Sequence, residues 1–410
     1  MTVEVRGDRP VPIEGGCLAC REEVALFREE ERPPRAAGKD VSADEAIDAA
    51  VWILGEARSP FVYGLSRSSS STARRAVRLA ESIGGAIDVE GSDRIQADLV
   101  ALHTFGLPSA TFGEIRDRAD LLLLWRCDPR RSHPGIFAER ARPVLLVPPA
   151  GSEGAEADRI LAVAADADLD AALALRAHVN GATLQGGSPG GVQDDLLGEA
   201  ASMLRRARYS AILWDPAATA SASGVAIAST LTLLTRDLNA AARSAARPLG
   251  AGGNVAGAVA ALAAAAGYPR AVGFADGTPR FAPGEFDAAR MIGGGRADAL
   301  LLVGARSVDE APGDRAARGT VLIGPRLPEG MGDPDVWIPT ATPGLSAPGT
   351  AARADGVTVV LRALVPSRLP TEDDVLDRLL ERLAARSRTG GGAGRGPSAL
   401  SQARSAPRRG

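Results

Sequence analysis

Cysteine is scarce in this chain: Cys17, Cys20 and Cys127 are all there is in 410 residues. So few, and an odd number, exclude a disulfide-built scaffold and fit a reducing cytoplasm. Histidine is equally scarce. His103, His133 and His178 stand alone, and their spacing matches no zinc motif such as H-E-x-x-H. Lysine is nearly missing, with Lys39 the only one, so arginine carries the positive charge. Aromatics are few and Ala, Gly and Arg abound, a compositional bias that implies no function. The formal net charge is −3 and no basic face is visible, which points away from nucleic acid as a partner. No apolar run approaches the ~18 residues of a membrane span. The start, MTVEVRGDRPVPIEGG, has no apolar h-region, so neither membrane nor secretion is expected.

What is present is ordinary globular composition, in a chain long enough for two or three domains. Residues 1–57 hold a short polar segment, in which only EVALF resembles a strand, and then a first helix. That helix opens with the capping box Ser42-Ala43-Asp44-Glu45. Residues 58–175 read as a first α/β block. PFVYGLS is a buried strand, TARRAVRLAESIGG a helix stopped by Gly84-Gly85, and LLLLW and VLLVP are fully apolar strands. The Gly-rich stretch within 176–204 reads as a linker. Residues 205–318 read as a second block, with the strand SAILWDP, an Ala-rich helix over 230–247, another over 254–266 and the strand ADALLLVGA. Residues 319–388 supply the return strands TVLIGP and DVWIP and an amphipathic helix, TEDDVLDRLLERLAARSR. The tail at 389–410 is low in complexity, is expected to be disordered, and carries arginines that suit a solvated segment or an acidic partner.

Candidate chemistry is thin. Cys17 and Cys20 form a C-x-x-C pair, yet a structural zinc needs four ligands and an iron–sulfur cluster about four thiolates, and Cys127 follows a different strand. A metal site, a redox pair and inert thiols all remain open for the pair. Trp125, Cys127, Asp128, Pro129 and His133 lie at and beyond the carboxyl end of LLLLW, where α/β proteins place ligands. Cys127 has no recognisable base partner. The glycines of GGGR and GAGGN fit neither a dinucleotide fingerprint nor a P-loop.

Several stretches together resemble the B subunit of formylmethanofuran dehydrogenase, a branch of the molybdopterin oxidoreductases. They are FVYGLSRSSSSTARRAVRLAESIGGAID, GEIRDRADLLLLWRCDPRRSHP, LTRDLNAAAR, GGNVAGA, GYPRAVGFADGTPRFAPGEF and GTAARADGVTVVLRALV, spanning about residues 12 to 368. The resemblance implies two parallel-rich α/β blocks of the formate dehydrogenase/DMSO reductase-like type behind a small N-terminal cluster loop. It also implies ligands that this chain lacks. The family's C-x-x-C-x-x-x-C cluster motif falls on Ile13, Gly16 and Cys20, with the fourth place near Pro33, so GCLAC looks like the remains of a cluster loop. The Cys-His pair whose Cys ligates tungsten or molybdenum falls on Arg94 and Ile95. The place of an active-site Arg holds Gly250. A pterin-contacting strand end of the S-D-P kind reads Ala305-Arg306-Ser307, and at the better kept strand end Arg126 replaces a small residue.

The resemblance therefore implies a non-redox B-type subunit without cofactors, like that of the bacterial formyltransferase/hydrolase complex. Such a complex moves a formyl group from formyl-tetrahydromethanopterin to a methanofuran-type carrier and releases formate. The partners implied are an amidohydrolase-type formyl hydrolase, a formyltransferase and a C-type subunit. Two alternatives stay open: an active tungsten or molybdenum subunit, and an α/β protein that binds a ligand at the strand ends around Cys127 to His133.

Overall fold

The structure, a computed structural model, describes residues 2–7, 9–27, 31–137, 142–149, 157–182, 184, 187–250, 252–308, 318–329 and 331–388. The expectation of a disordered tail at 389–410 lies outside the described residues.

The chain begins with a hairpin, β1 (Thr2–Arg6) and β2 (Arg9–Glu14), and a helix, α1 (Leu18–Leu26). EVALF, expected as a strand, belongs to this helix and its end. Val24 and Phe27 are three residues apart, share a face, and pack on Leu345 and Val365. Short strands β3 (Arg35–Ala36) and β4 (Lys39–Asp40) lead to α2 (Ala43–Gly55), whose Ser42–Glu45 capping box is present. Next come β5 (Pro60–Gly64), α3 (Ser70–Ser82) and β6 (Ala86–Val89). Helices α4 (Gln96–Phe105) and α5 (Phe112–Arg118) precede β7 (Leu121–Trp125) and the single turn α6 (Pro129–Ser132). Strands β8 (Val144–Val147) and β9 (Arg159–Ile160) are followed by α7 (Asp168–Val179) and α8 (Asp194–Arg206).

Two expectations give way here. The stretch 176–204, expected as a linker, is mostly the end of α7 and most of α8. Its Gly190 is packed so closely on Ala171 that a Cβ would come within 2.7 Å. The helix expected over 230–247 is instead α9 (Gly224–Leu238) and then a strand. After β10 (Tyr209–Trp214), that strand, β11 (Arg243–Pro248), pairs along its whole length with β10. Pairing to a neighbour has overridden the helical preference of its alanines.

The chain continues through α10 (Val255–Ala266), the short strands β12 (Val272–Gly273) and β13 (Arg280–Phe281), and β14 (Ala299–Val303). It ends with β15 (Gly319–Ile323), β16 (Val336–Ile338), the antiparallel ribbon β17 (Gly349–Ala352) and β18 (Thr358–Leu361), and α11 (Glu372–Arg388).

The long strands form two sheets. One has five parallel strands in the order β11-β10-β7-β8-β9. The other has nine in the order β13-β12-β6-β5-β14-β15-β16-β3-β4, with β6 to β16 parallel and antiparallel strands at both edges. Parallel sheets must be covered on both faces. Helices α2, α3, α10 and α11 cover one face of the larger sheet, while Phe61, Leu302, Met291 and Trp337 pack on the other. Helices α7, α8 and α9 cover one face of the smaller sheet, and Phe112 and Ile115 of α5 lie on the other.

The sheets are not consecutive blocks. Strands of 58–175 go to both, and so do strands of 205–318, because β5 and β6 pair with β14 to β16 while β7 and β8 pair with β10 and β11. Apolar runs disclose strands but not their neighbours. In each sheet strand order reverses once, between β5 and β14 in the larger and between β7 and β10 in the smaller. Doubly wound sheets open their ligand crevices at the carboxyl ends beside such reversals.

Candidate functional site

The mouth of the smaller sheet is built from residues just beyond β7 and β10. Arg126 sits in left-handed backbone, at φ +52°, directly after the buried strand. Its guanidinium donates to both carboxylate oxygens of Asp168, at 2.9 and 3.1 Å, and to the carbonyls of Pro148, Val163 and Ala164. Trp125 Nε1 donates to the same carboxylate at 2.7 Å. Arg126 therefore staples the ends of β7 and β8 to the start of α7. On the other side Trp214 Nε1 donates to Asp98 at 2.9 Å, and burial pushes the Asp98 carboxyl up to about 6.

The side chains that the sequence singled out here are also engaged. Cys127 is buried, its thiol faces the Leu213 carbonyl at 3.5 Å, and burial beside Asp215 pushes that thiol up, away from nucleophilic use. Asp128 caps the turn Pro129–Ser132 by accepting from Arg130 N at 3.1 Å. His133 stands edge-on to Phe112, 5.0 Å between ring centres, with Nδ1 3.0 Å from Ser132 Oγ, and burial lowers its pKa. No acid–base pair with a nucleophile results. His178 joins Asp194 at 2.7 Å and so pins α7 to α8, while His103 is exposed in the last turn of α4.

The mouth of the larger sheet is held by a carboxylate that sequence reasoning did not single out. Glu90, buried just past β6, accepts from Arg306 N at 2.8 Å, Ser307 N at 2.9 Å and Ser307 Oγ at 3.1 Å, and also from Ser66 Oγ. It bridges the loops that follow β5 and β14. Asn254 ties the same mouth from behind: Nδ2 donates to Ser68 O at 2.9 Å and Oδ1 accepts from Ala352 N at 2.7 Å. Below the mouth Arg270 donates to Asp88 at 2.9 Å, and both are almost wholly buried. These contacts join the stretches GGAID, GYPR, GGNVAG and GTAARADG in space. A second acid closing the short strand AIDV was the available signal for Glu90.

Glu372, at the start of α11, is a further buried carboxyl. Neither of its oxygens makes a well-formed hydrogen bond among the described residues, although Ser68 and Thr72 lie alongside. Burial pushes it up to about 7. It borders a cleft of about 290 Å³ between α3 and α11. The neighbouring acid Asp373 is spent on Ser71, Thr72 and Arg75.

The positions matched to the family's metal ligands do not form a donor set. Ile13 is an exposed alkyl side chain on β2, and Gly16 has no side chain. Cys17 Sγ caps α1 by accepting from Cys20 N and touches Cys20 Sγ at 3.0 Å. That contact pushes the Cys20 thiol up. Arg94 is exposed and Ile95 half-buried in the turn before α4. At the place of the active-site Arg, Gly250 has φ +82°, and a Cβ there would come within 2.7 Å of Ala354. Among the described residues no three His, Cys, Asp or Glu side chains converge as metal ligands. An iron–sulfur cluster or a protein-ligated tungsten or molybdenum does not fit these residues.

Two doubly wound sheets of this kind define a class: the α/β fold of the molybdopterin oxidoreductases. Acetylene hydratase from Pelobacter acetylenicus shares it, with a TM-score of 0.65 over 94% of this chain and 68% of that one, at 13% identity. No family model matches the chain. The B subunit of the tungsten-containing formylmethanofuran dehydrogenase 2 of Methanocaldococcus jannaschii is 30% identical over 366 residues, 84% of each chain. The chain belongs to the family of formylmethanofuran dehydrogenase B subunits. The B subunit of the formyltransferase/hydrolase complex Fhc of Methylorubrum extorquens is 29% identical over 84% of this chain and 96% of that one. A chain of the crystal structure of that organism's FhcABCD complex with methylofuran superposes with a TM-score of 0.70 at 28% identity, over 87% of this chain and 99% of that one.

Proposed function

We propose that this chain is the B-type subunit of a formyltransferase/hydrolase complex and that it carries no redox chemistry. The complex would pass a formyl group from formyl-tetrahydromethanopterin to a methanofuran-type carrier and release it as formate. The partners would be a formyltransferase, an amidohydrolase-type hydrolase and a C-type subunit, in the cytoplasm. One observation carries the reading. Ile13, Gly16, Arg94 and Ile95 stand where the resemblance puts the ligands, while the contacts that join the matching stretches, Asp88–Arg270 and Asn254–Ala352, are present. What such a chain retains is a shape and its surfaces. The extent of the likeness to the Fhc protein, nearly end to end, supports this reading.

Affinity purification of the tagged chain tests it. The formyltransferase and hydrolase should co-purify, and formyl-carrier hydrolysis should fall when the chain is omitted from co-expression. Metal analysis after chelator washing should find neither iron nor tungsten nor molybdenum in stoichiometric amount on this chain. Full hydrolase activity without the chain, or oxidation of formyl-carrier by the chain alone, would overturn the proposal.

A further inference from the structure

Cys17 and Cys20 bracket the first turn of α1. Their sulfurs are 3.0 Å apart, and Cys17 Sγ also accepts from Cys20 N at 3.3 Å. Cys20 is exposed and Cys17 half-buried, so a small reagent reaches the pair from solvent. Cys127 is buried in the smaller sheet against Leu213 O and competes for neither sulfur. A metal would need further ligands, and among the described residues none converge with the pair. Capping alone accounts poorly for a cysteine at residue 17, since Ser, Thr, Asp and Asn are the preferred helix caps. Packing does not call for the pair either: the apolar cluster beneath α1 takes Val24 and Phe27. What is left is chemistry between the two sulfurs. A disulfide bond is about 2 Å long, so closing it draws the sulfurs together by only about 1 Å.

The helix is one on which such a bond would tell. At 9 residues α1 is shorter than the ~12–15 that hold as a helix alone in water, because the first turn is costly to nucleate. Its later turns are held from outside. Val24 and Phe27 pack on Leu345 and Val365, and Glu23 accepts from Arg67 at 3.0 Å and from Arg326 at 2.6 Å. The first turn has the cysteine pair at its two ends, and a covalent link there fixes the turn that costs most to form.

We propose that Cys17 and Cys20 are a reversible thiol–disulfide couple and that closing the disulfide locks the first turn of α1. The oxidant is a small disulfide such as oxidised glutathione. A thiolate of the pair attacks one sulfur of that disulfide and expels one small thiol, leaving a mixed disulfide. The second cysteine gives up its proton, attacks the protein sulfur of the mixed disulfide and expels the other small thiol. The small S–S bond breaks and the Cys17–Cys20 bond forms, so the two electrons and two protons of the pair leave on two small thiols. In a reducing cytoplasm the pair rests as the dithiol and closes under oxidative load. The step is confined to the chain's own thiols and oxidises no formyl group, so it stands apart from the proposed assembly and does not rest on it.

The test equilibrates the full chain, in whatever complex it purifies, with reduced and oxidised glutathione in varied ratio, followed by acid quenching, alkylation and mass spectrometry. The peptide holding Cys17 and Cys20 should lose two hydrogens as oxidised glutathione rises, while Cys127 stays a thiol. Each cysteine is tethered beside the other, so at millimolar glutathione the internal disulfide should exceed glutathione adducts on the pair by at least about tenfold. Cys17→Ser and Cys20→Ser should each carry the adduct instead, since the thiol that expels it is gone. Oxidation should also slow hydrogen exchange of the α1 amides by at least about threefold and leave α11 unchanged, because the closed ring restricts the opened turn. A pair that stays reduced in oxidised glutathione alone, adducts that accumulate on the parent chain, or α1 exchange that is equal in the two states overturns the proposal.

Discussion

Arg126 occupies backbone that favours glycine and still makes five hydrogen bonds. Removing the guanidinium strands Asp168, which is mostly buried. Breaking such a pair costs about 3–5 kcal/mol when buried, and somewhat less here because both partners keep some exposure. Arg126→Ala should therefore lower unfolding stability in urea by about 3 kcal/mol. Arg126→Gly should cost about 1 kcal/mol less, since glycine takes positive φ without strain. The reverse order would show that the backbone there is not left-handed. Arg270, enclosed with Asp88, should behave more severely: Arg270→Leu should cost about 3–5 kcal/mol, and adding Asp88→Leu should restore part of the loss.

Two buried carboxyls set a pH dependence of the same sign. Glu372 rises from an ordinary 4.5 to about 7 in the fold, and Asp98 from 3.8 to about 6. The folded chain therefore holds protons that the unfolded chain releases. Their contribution to stability is full below the unfolded values and is lost as pH rises through 4–7, on the order of 3 kcal/mol for Glu372. Glu372→Gln should flatten that fall. It should unfold at higher denaturant than the parent at pH 8 and at about the same denaturant at pH 4.5.

At the scale of elements, α11 shows which contacts hold a helix in place. Its outer face carries a row of ion pairs: Arg378 and Arg382 reach Asp44, Arg382 also reaches Asp48, and Arg386 reaches Glu56. These are exposed, and exposed pairs contribute about 0–1 kcal/mol each. Its inner face buries Val375, Leu376, Leu379 and Leu383 in the main core. Leu376→Ala should cost about 2–5 kcal/mol in thermal or urea unfolding. Arg382→Ala should stay within about 1 kcal/mol of the parent, despite facing two acids.

This helix was legible in the sequence because its apolar residues recur at the helical period, as were β5, β7, β8, β10 and β14 because their apolar runs are unbroken. The element β11 was not. Ala245 and Ala246 prefer a helix when read alone, and only alignment with Ala211 and Ile212 of β10 makes them a strand. EVALF erred the other way, since five residues cannot separate a strand from the end of a helix. At the candidate site, the residues named from the sequence lie together at one strand end of the smaller sheet. At the larger mouth the sequence marked Ala305-Arg306-Ser307, but Glu90 and Ser66 acquire meaning only when separate loops meet.

At the scale of the whole molecule, strand neighbours lie far apart along the chain. Ser59, just before β5, bonds to Asp298, which is 239 residues later. Synthesis runs at ~5–20 residues per second, so β5 waits roughly 10–50 seconds for β14 to leave the ribosome. During that interval a fully apolar strand has β6 on one side and nothing on the other. Residues 121–248 carry every strand of the smaller sheet, so that sheet is complete while the larger one, split between residues 35–89 and 272–338, still waits for its second half. A nascent chain arrested before residue 299 should stay protease-sensitive around residues 60–64, and one arrested with residues 299–338 exposed should become resistant there. The insertion of the whole smaller sheet between the two parts of the larger one thus makes the early chain a client for holding factors, with a lifetime set by translation.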